Sequence, residues 1–436
     1  MRLPHHSPAV LALVALALSH PPRLAGQNLR TRIGTELFTF GTCGEPLCLA
    51  GSLGSGHGLH FIPADESSGT SILQFLANSI GASVGNTPIS SASSGTTFEF
   101  VNGAPVKTST SSGPIFGERA QTLGRGQFYL GLNVTQMHFE RLRGIPVNDV
   151  MFFFTHQNVA PTDTMGSPAF ENDVIQVQVA MNVNLLVSTL VASYGIVDGV
   201  DLSVAVPVVR TSIEASSVAT ILPLGEGEGF SPHFFGGTAA NPVTTAVAST
   251  SGAATGLGDV AARLKINVTQ TKGFGTAVLF EGRFPTGDAN NLLGSGAFSG
   301  RGMLIASGTI GALSPHANVG YIFRDGDLQN NSVIGNIGFD QLVAPSITMG
   351  FDLLSDWQIG PSKLVIPPPV QYQAPYPHQQ IVSNIPNQHD NFASASVGFK
   401  FTTQRGIVVV TNALFPLRNS GLQPSVVWSG GLEYAF

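Results

Sequence analysis

The sequence predicts an all-β protein: a closed antiparallel transmembrane β-barrel of about 12 strands, preceded by a loosely structured N-terminal region with one short helix. Three observations predict it. Charged residues are 11% of the 436 residues, against about 25% in an average soluble domain, and mean hydropathy is positive. A membrane helix needs about 18 or more consecutive apolar residues, and the run that comes nearest, Ala9–Leu18, is too short. Elsewhere the apolar residues fall at every second position, the period of a strand with one apolar and one wet face.

The elements follow in chain order. Residues 1–26 read as a secretory signal peptide, with Arg2 in the n-region, Ala9–Leu18 as the apolar stretch and Leu24-Ala25-Gly26 as small residues for cleavage. Residues 27–126 form a region rich in Gly and Ser. Within it, Cys43 and Cys48 of CGEPLC flank a Gly- and Pro-containing turn. In an oxidising compartment they are expected to form a disulfide, worth about 2 kcal/mol for so small a loop. No further Cys or nearby His stands at metal-ligand spacing. One helix is expected over Ser71–Gly85, where Ile72, Phe75, Leu76 and Ile80 share a face and Ser71 is a candidate N-cap. A short strand is expected at Thr96–Val101.

From 127 to 436 the pattern is that of an outer-membrane barrel. Strands are expected at 127–139, 182–197, 201–213, 257–270, 275–285, 300–311, 315–324, 335–346, 348–358, 391–402, 406–416 and 424–436. A soluble sandwich would share the period, so the connections decide. They alternate between short (197–201, 271–274, 312–314, 345–347, 402–405) and long (140–181, 214–256, 286–299, 325–334, 359–390), the rhythm of periplasmic turns and outer loops. Backbone satisfaction in lipid requires the first and last strands to pair. The loop 359–390, with seven prolines, reads as a solvated surface loop.

Alternation sorts the faces. The lumen-facing candidates are Asp201, Asp259, Arg263, Lys265, Glu281, Arg283, Asp352, Lys400 and Glu433. Ionisable groups at membrane depth are tolerated when they face a wet interior or one another. They therefore read equally as a polar, weakly selective lumen and as ion pairs filling a narrow barrel. Trp428, Tyr434 and Phe436, with Leu432, should face lipid as part of an aromatic girdle, with Tyr434 and Phe436 at its periplasmic level. The terminal aromatic strand is similar to the signal read by the barrel-assembly machinery.

Several functions find no support. The net charge of −6 and the lack of a basic cluster speak against nucleic acid. Asp325-Gly-Asp327 with Gln329, Asn330 and Asn331, and Asp288 with Asn290 and Asn291, lack the bidentate Glu of a calcium loop and read as Asx turns. GSLGSGHG (51–58) follows no strand and lacks a phosphate-binding Lys, and no Gly-x-Ser-x-Gly elbow occurs. A lipid-hydrolysing barrel would need a Ser, a His and a third polar group at the outer rim. His138 is the His nearest the outer end of an expected strand, and His316 begins another on the periplasmic side. No enzyme activity, cofactor or metal is expected.

Longer stretches carry a resemblance. GLGDVAARLKI (256–266), FEGRFPTGDANNLLGSG (280–296) and GALSPHANVGYIF (311–323) resemble the outer-membrane proteins of the phenol-degradation meta pathway, a family loosely akin to long-chain fatty-acid porins. YGIVDGVDLSVAVPVV (194–209), SGLQPSVVWSGGLEYAF (420–436) and SGPIFGERAQTLGRG (112–126) fit it too. The resemblance covers about 112–436. It implies a barrel in a Gram-negative outer membrane and transport of small apolar or aromatic molecules, and assigns no substrate-contacting residue. The alternative is a structural or partner-binding barrel without transport. Residues 27–126 begin on the periplasmic side beneath the barrel mouth and are too poor in apolar residues for a core of their own. They read either as a plug in the lumen or as a mobile periplasmic tail.

Overall fold

The computed structural model describes residues 28–40, 46–49, 61, 66–85, 98–101, 104–107, 111–158, 164–167, 169–223, 233–238 and 240–436. The signal segment 1–26, the glycine-rich stretch 51–58 and Cys43 lie outside them. Cys48 is disulfide-bonded.

Among the described residues, twelve strands close into one antiparallel barrel. They are β1 (Phe128–Leu142), β2 (Val174–Val197), β3 (Val200–Leu222), β4 (Val260–Gln270), β5 (Phe274–Phe284), β6 (Ser299–Gly308), β7 (Leu313–Arg324), β8 (Ser332–Ala344), β9 (Ile347–Gln358), β10 (Phe392–Thr402), β11 (Val408–Pro416) and β12 (Leu422–Ala435). Each pairs with its neighbour in sequence, and β12 pairs with β1, for example Leu432 opposite Leu132. The seam ends in two reciprocal bonds: Phe128 N–H donates to the Phe436 carbonyl at 2.7 Å, and Phe436 N–H to the Phe128 carbonyl at 2.8 Å. Closure leaves no open edge, the condition for a sheet in lipid. The exterior of β1 shows why the chain needs lipid. Phe128, Leu130, Leu132 and Val134 are exposed while the alternate positions are mostly buried or part-buried.

The sequence places these twelve strands correctly but cuts β2 and β3 short. They run 24 and 23 residues, about twice the ~9–11 that cross a bilayer. Beyond Ala205, β3 leaves β4 and from Val208 pairs instead with a strand over Thr245–Leu257, which continues the line of β4 across a break at Gly258-Asp259. The outer part of β2 pairs with Val150–Thr155. The two long connections read as loops are thus partly a projecting sheet at the outer end, the end that carries the long connections.

The described part of residues 28–85 packs at that outer end. Its short helix α1 (Leu29–Gly34) is capped by Asn28, whose side chain accepts from Thr31 N–H. The longer helix α2 spans Glu66–Gly85, so Ser71 lies inside it and is no N-cap. The expected short strand is Phe98–Val101, paired with Ala104–Lys107. Leu29, Ile33, Leu37, Phe38 and Phe40 join one apolar core with Phe152, Phe154, Ile175, Val177 and Ile221 of the projecting sheet. Phe38 meets Phe152 and Phe154 edge-on, with ring centroids 5.8 Å away in each case. Unlike residues 111–123, which run inside the lumen, the described part of 28–85 therefore does not sit at the periplasmic mouth. Lacking a core of its own, it borrows the inward face of the sheet.

The proline-rich connection is also packed rather than solvated. Leu364, Ile366, Tyr372, Val382 and Ile385 are buried in it. Asp390 takes a bidentate pair from the buried Arg143, with both N···O distances 2.8 Å. Arg143 also donates to the carbonyl of Leu364 at 2.7 Å and lies over the Phe75 ring of α2.

Candidate functional site

The lumen is filled in its inner half by residues 111–123, which cross it strand by strand. Ser111 and Arg119 hold Asp340 of β8. Ser112 N–H donates to Thr348 of β9 at 3.0 Å, and its hydroxyl meets that of Thr402 of β10 at 2.7 Å. Glu118 and Asn318 of β7 bond each other twice at 2.9 Å, backbone to amide. Ala120 N–H donates to Ser307 of β6, and its carbonyl accepts from Asn267 of β4. Leu123 N–H donates to Asp201 of β3. The segment lies against the wall so closely that two positions must be glycine. A Cβ on Gly117 would stand 2.2 Å from His316 Nε2, and one on Gly398 would stand 2.4 Å from Ile115 Cδ1.

Every charged lumen-facing candidate of the sequence reading except Arg283 is buried on the inward face, and Arg283 is half-buried there. The structure distributes them among different tasks. Lys400 and Glu433 pair at 2.9 Å. Asp352 accepts from His316 at 2.7 Å and from Asn336 at 3.1 Å. Asp201 receives the backbone of Leu123. Asp259 sits at the break before β4, where it accepts from Gly287 N–H, Ser295 N–H and the Ser295 hydroxyl, so it ties down the connection 285–298. Arg263, Lys265, Glu281 and Arg283 converge: Arg263 pairs with Glu281 at 2.5 Å, Lys265 with Glu118 at 3.4 Å, and Arg283 approaches Glu281 at 3.9 Å while donating to the Gly85 carbonyl at the end of α2.

Above residues 116–118 and below the end of α2 lies a cavity of about 270 Å³. One side is charged: Arg263, Glu281, Arg283, Arg301, Arg324 and Asp356, with Glu118 on its floor. The other is largely apolar: Met137, Phe139, Phe392, Leu414, Leu422 and Val427, with Phe116. Arg301, Arg324, Asp356 and Glu118 escape the sequence reading. Arg301 shares its face with Met303 and Ile305, and Arg324 with Ile322, so the polar side of these strands is apolar over part of its length and the alternation blurs.

On the exterior, Trp428 is 61% exposed, Tyr434 42% and Phe436 60%. Phe436 stacks on Phe128 and Tyr434, and Phe128 packs at a tilt against Tyr194, which makes an aromatic cluster at the inner end. Trp428 shares the face but lies well up the strand. His138, also on the exterior, meets Asn184 at 2.9 Å. Asp288 caps the turn Ala289–Asn291 by accepting from two backbone N–H groups. Among the described residues no group of three or more His, Cys, Asp or Glu is placed to hold a metal ion.

The profile of the family described as "Putative MetA-pathway of phenol degradation" matches residues 161–406. Among solved structures, an outer membrane channel from Pseudomonas putida F1 is similar at 11% identity and a TM-score of 0.40, over 73% of this chain and 98% of that one. A Pseudomonas aeruginosa FadL homologue is similar at 11% identity and 0.31, over 71% and 88%. A deletion mutant of the TodX monoaromatic hydrocarbon channel is similar at 11% identity and 0.33, over 72% and 89%. The barrel stands on its own strand pairing and needs none of these likenesses. No curated protein matches the chain.

Proposed function

From the premise that the chain belongs to the family described as the MetA pathway of phenol degradation, we propose that it is a bacterial outer-membrane channel for small apolar or aromatic molecules. The observation that carries the proposal is the cavity: it lies in the lumen and is lined on one side by aliphatic and aromatic side chains. A barrel that served only as a scaffold could fill that space with side chains. A binding chamber of about 270 Å³ lies just under the ~300–1,000 Å³ typical of drug-sized ligand sites, which suits a single-ring or short-chain solute.

In this reading residues 1–26 direct export, 127–436 form the barrel, and 27–126 act as a plug. The many hydrogen bonds of 111–123 to the wall support the last assignment. The charged candidates Arg263, Glu281 and Arg283 line the passage, whereas Lys400–Glu433 and His316–Asp352 brace it. Lipid surrounds the aromatic belt, and the C-terminal strand is the segment offered to the barrel-assembly machinery. The test is flux: proteoliposomes holding the full chain should equilibrate benzyl alcohol faster than empty liposomes. If they do not, for this or any other small aromatic or fatty solute, the partner-binding barrel replaces the channel.

A further inference from the structure

The cavity is not uniformly apolar, and the placement of its charges narrows what it can hold. Three consecutive strands present arginines at neighbouring inward positions. Arg283 of β5 is paired with Ser299 of β6, and Ser299 with Arg324 of β7. Arg301 of β6, one inward step along, is paired with Glu281 of β5 and Ile322 of β7. The lining of the cavity contains four guanidinium groups, those of Arg263, Arg283, Arg301 and Arg324, and three carboxylates, those of Glu118, Glu281 and Asp356, among the described residues. Those carboxylates are shared. Glu281 serves Arg263, Arg301 and Arg283, and Glu118 serves Lys265 as well as Arg263. The buried Nε of Arg301 has no hydrogen-bond partner among the described residues.

Arg324 pairs with Asp356 at 2.8 Å and Arg283 and Arg301 share Glu281, yet all three guanidinium groups stay half-buried at the cavity, so they can still donate to an anion placed there. In the barrel order, the strands that carry the arginines face those that carry Met137, Phe139, Leu414 and Val427 across the lumen. The chamber therefore has a cationic wall and an apolar wall on opposite sides. We infer that it takes small apolar monocarboxylates, with the carboxylate against Arg283, Arg301 and Arg324 and the hydrocarbon body against β1, β11 and β12. Guanidinium groups bind carboxylates through paired, directional hydrogen bonds. A neutral solute of the same shape offers these donors no charged acceptor, and a cation is repelled by them. This inference rests on the channel reading for its biological meaning, but its chemistry is testable apart from transport.

The experiment is equilibrium binding of benzoate and of benzyl alcohol to the full chain in lipid nanodiscs, with flux of both solutes measured in parallel in proteoliposomes. Charge-assisted bonds should make benzoate bind about tenfold tighter or more. In Arg301→Gln/Arg324→Gln, checked for barrel integrity by its heat-modifiable migration, the ratio of benzoate to benzyl alcohol affinity should fall toward one. Equal affinity of the two solutes in the unaltered chain overturns the inference, and that comparison needs no variant. So does binding of neither solute, or a preference that survives the double substitution. A binding preference without flux of either solute leaves the inference standing and sinks the channel reading; equal flux and equal binding do the reverse.

Discussion

Arg143 shows how much a single side chain can hold. Its backbone is left-handed, with φ 49°, just before Gly144 at φ 91°, and this tight turn at the end of β1 aims the guanidinium into the outer layer. There it binds Asp390, two loop carbonyls and the ring of Phe75, so one residue ties together the barrel rim, the proline-rich connection and α2. Removing one partner of a buried pair leaves an uncompensated charge. Arg143→Ala should therefore weaken the outer layer by about 3–5 kcal/mol, seen as proteolysis within 359–391 while the barrel stays protected. Equal protease resistance would contradict this role. Tyr372, in the same connection, stacks on His378 and donates to the Glu171 carbonyl. Burial first, and then the carboxylates of Glu171 and Asp173, raise its phenol above the ordinary 10.0. A raised acid favours the folded state fully below its unfolded value, and that contribution is lost as pH climbs from 10.0 toward the folded value. Tyr372→Phe cannot ionise, so alkaline unfolding of the outer layer should lose this component of its pH dependence. An unchanged pH profile would show that Tyr372 carries none of it.

At the scale of elements, the segment 111–123 behaves as a strut. Its polar backbone is satisfied by one wall residue after another rather than by secondary structure, which is how an irregular segment can exist at membrane depth. The closeness of Gly117 to His316 gives a clean perturbation: Gly117→Val cannot be accommodated without displacing the segment or the His316–Asp352 pair. Planar-bilayer conductance of the full chain should rise in this variant and become noisier, because the inner half of the lumen opens. Conductance indistinguishable from that of the unaltered chain would mean that the segment does not limit the passage. The projecting sheet is the second element of note. Its inward face is apolar because α1 and the residues after it supply the opposing layer.

For the whole molecule the decisive feature is closure. The first and last strands meet through Phe128 and Phe436, bonded by backbone in both directions and stacked by their rings at 5.9 Å. Deleting Phe436 removes both bonds and part of the inner aromatic cluster at once. The fraction of chain that inserts into vesicles and acquires heat-modifiable migration should fall, and a full yield would show that the seam closes without its last residue.

The amino-acid sequence by itself determined the class, the twelve membrane strands and their inward and outward faces. These rest on a period of two and on connection lengths, both of them local: Arg263, Lys400 and Glu433 point inward simply because their neighbours in the chain are apolar. It could not say which inward charges meet. Asp259 reads like Arg263 in the alternation, yet it stands at a break in the sheet and binds a connection, while Arg263 faces the cavity; its contacts with Glu281 and Glu118, 18 and 145 residues away along the chain, are set by strand register and by the path of 111–123, which no single strand encodes. Nor could it extend β2 and β3 past the membrane, because their outer halves are stabilised by residues from the N-terminal region and from 359–391 rather than by their own pattern. Only the tertiary structure brought three arginines of β5, β6 and β7 opposite the apolar wall of β1, β11 and β12, because a closed barrel makes neighbours and opposites of residues that lie far apart along the chain.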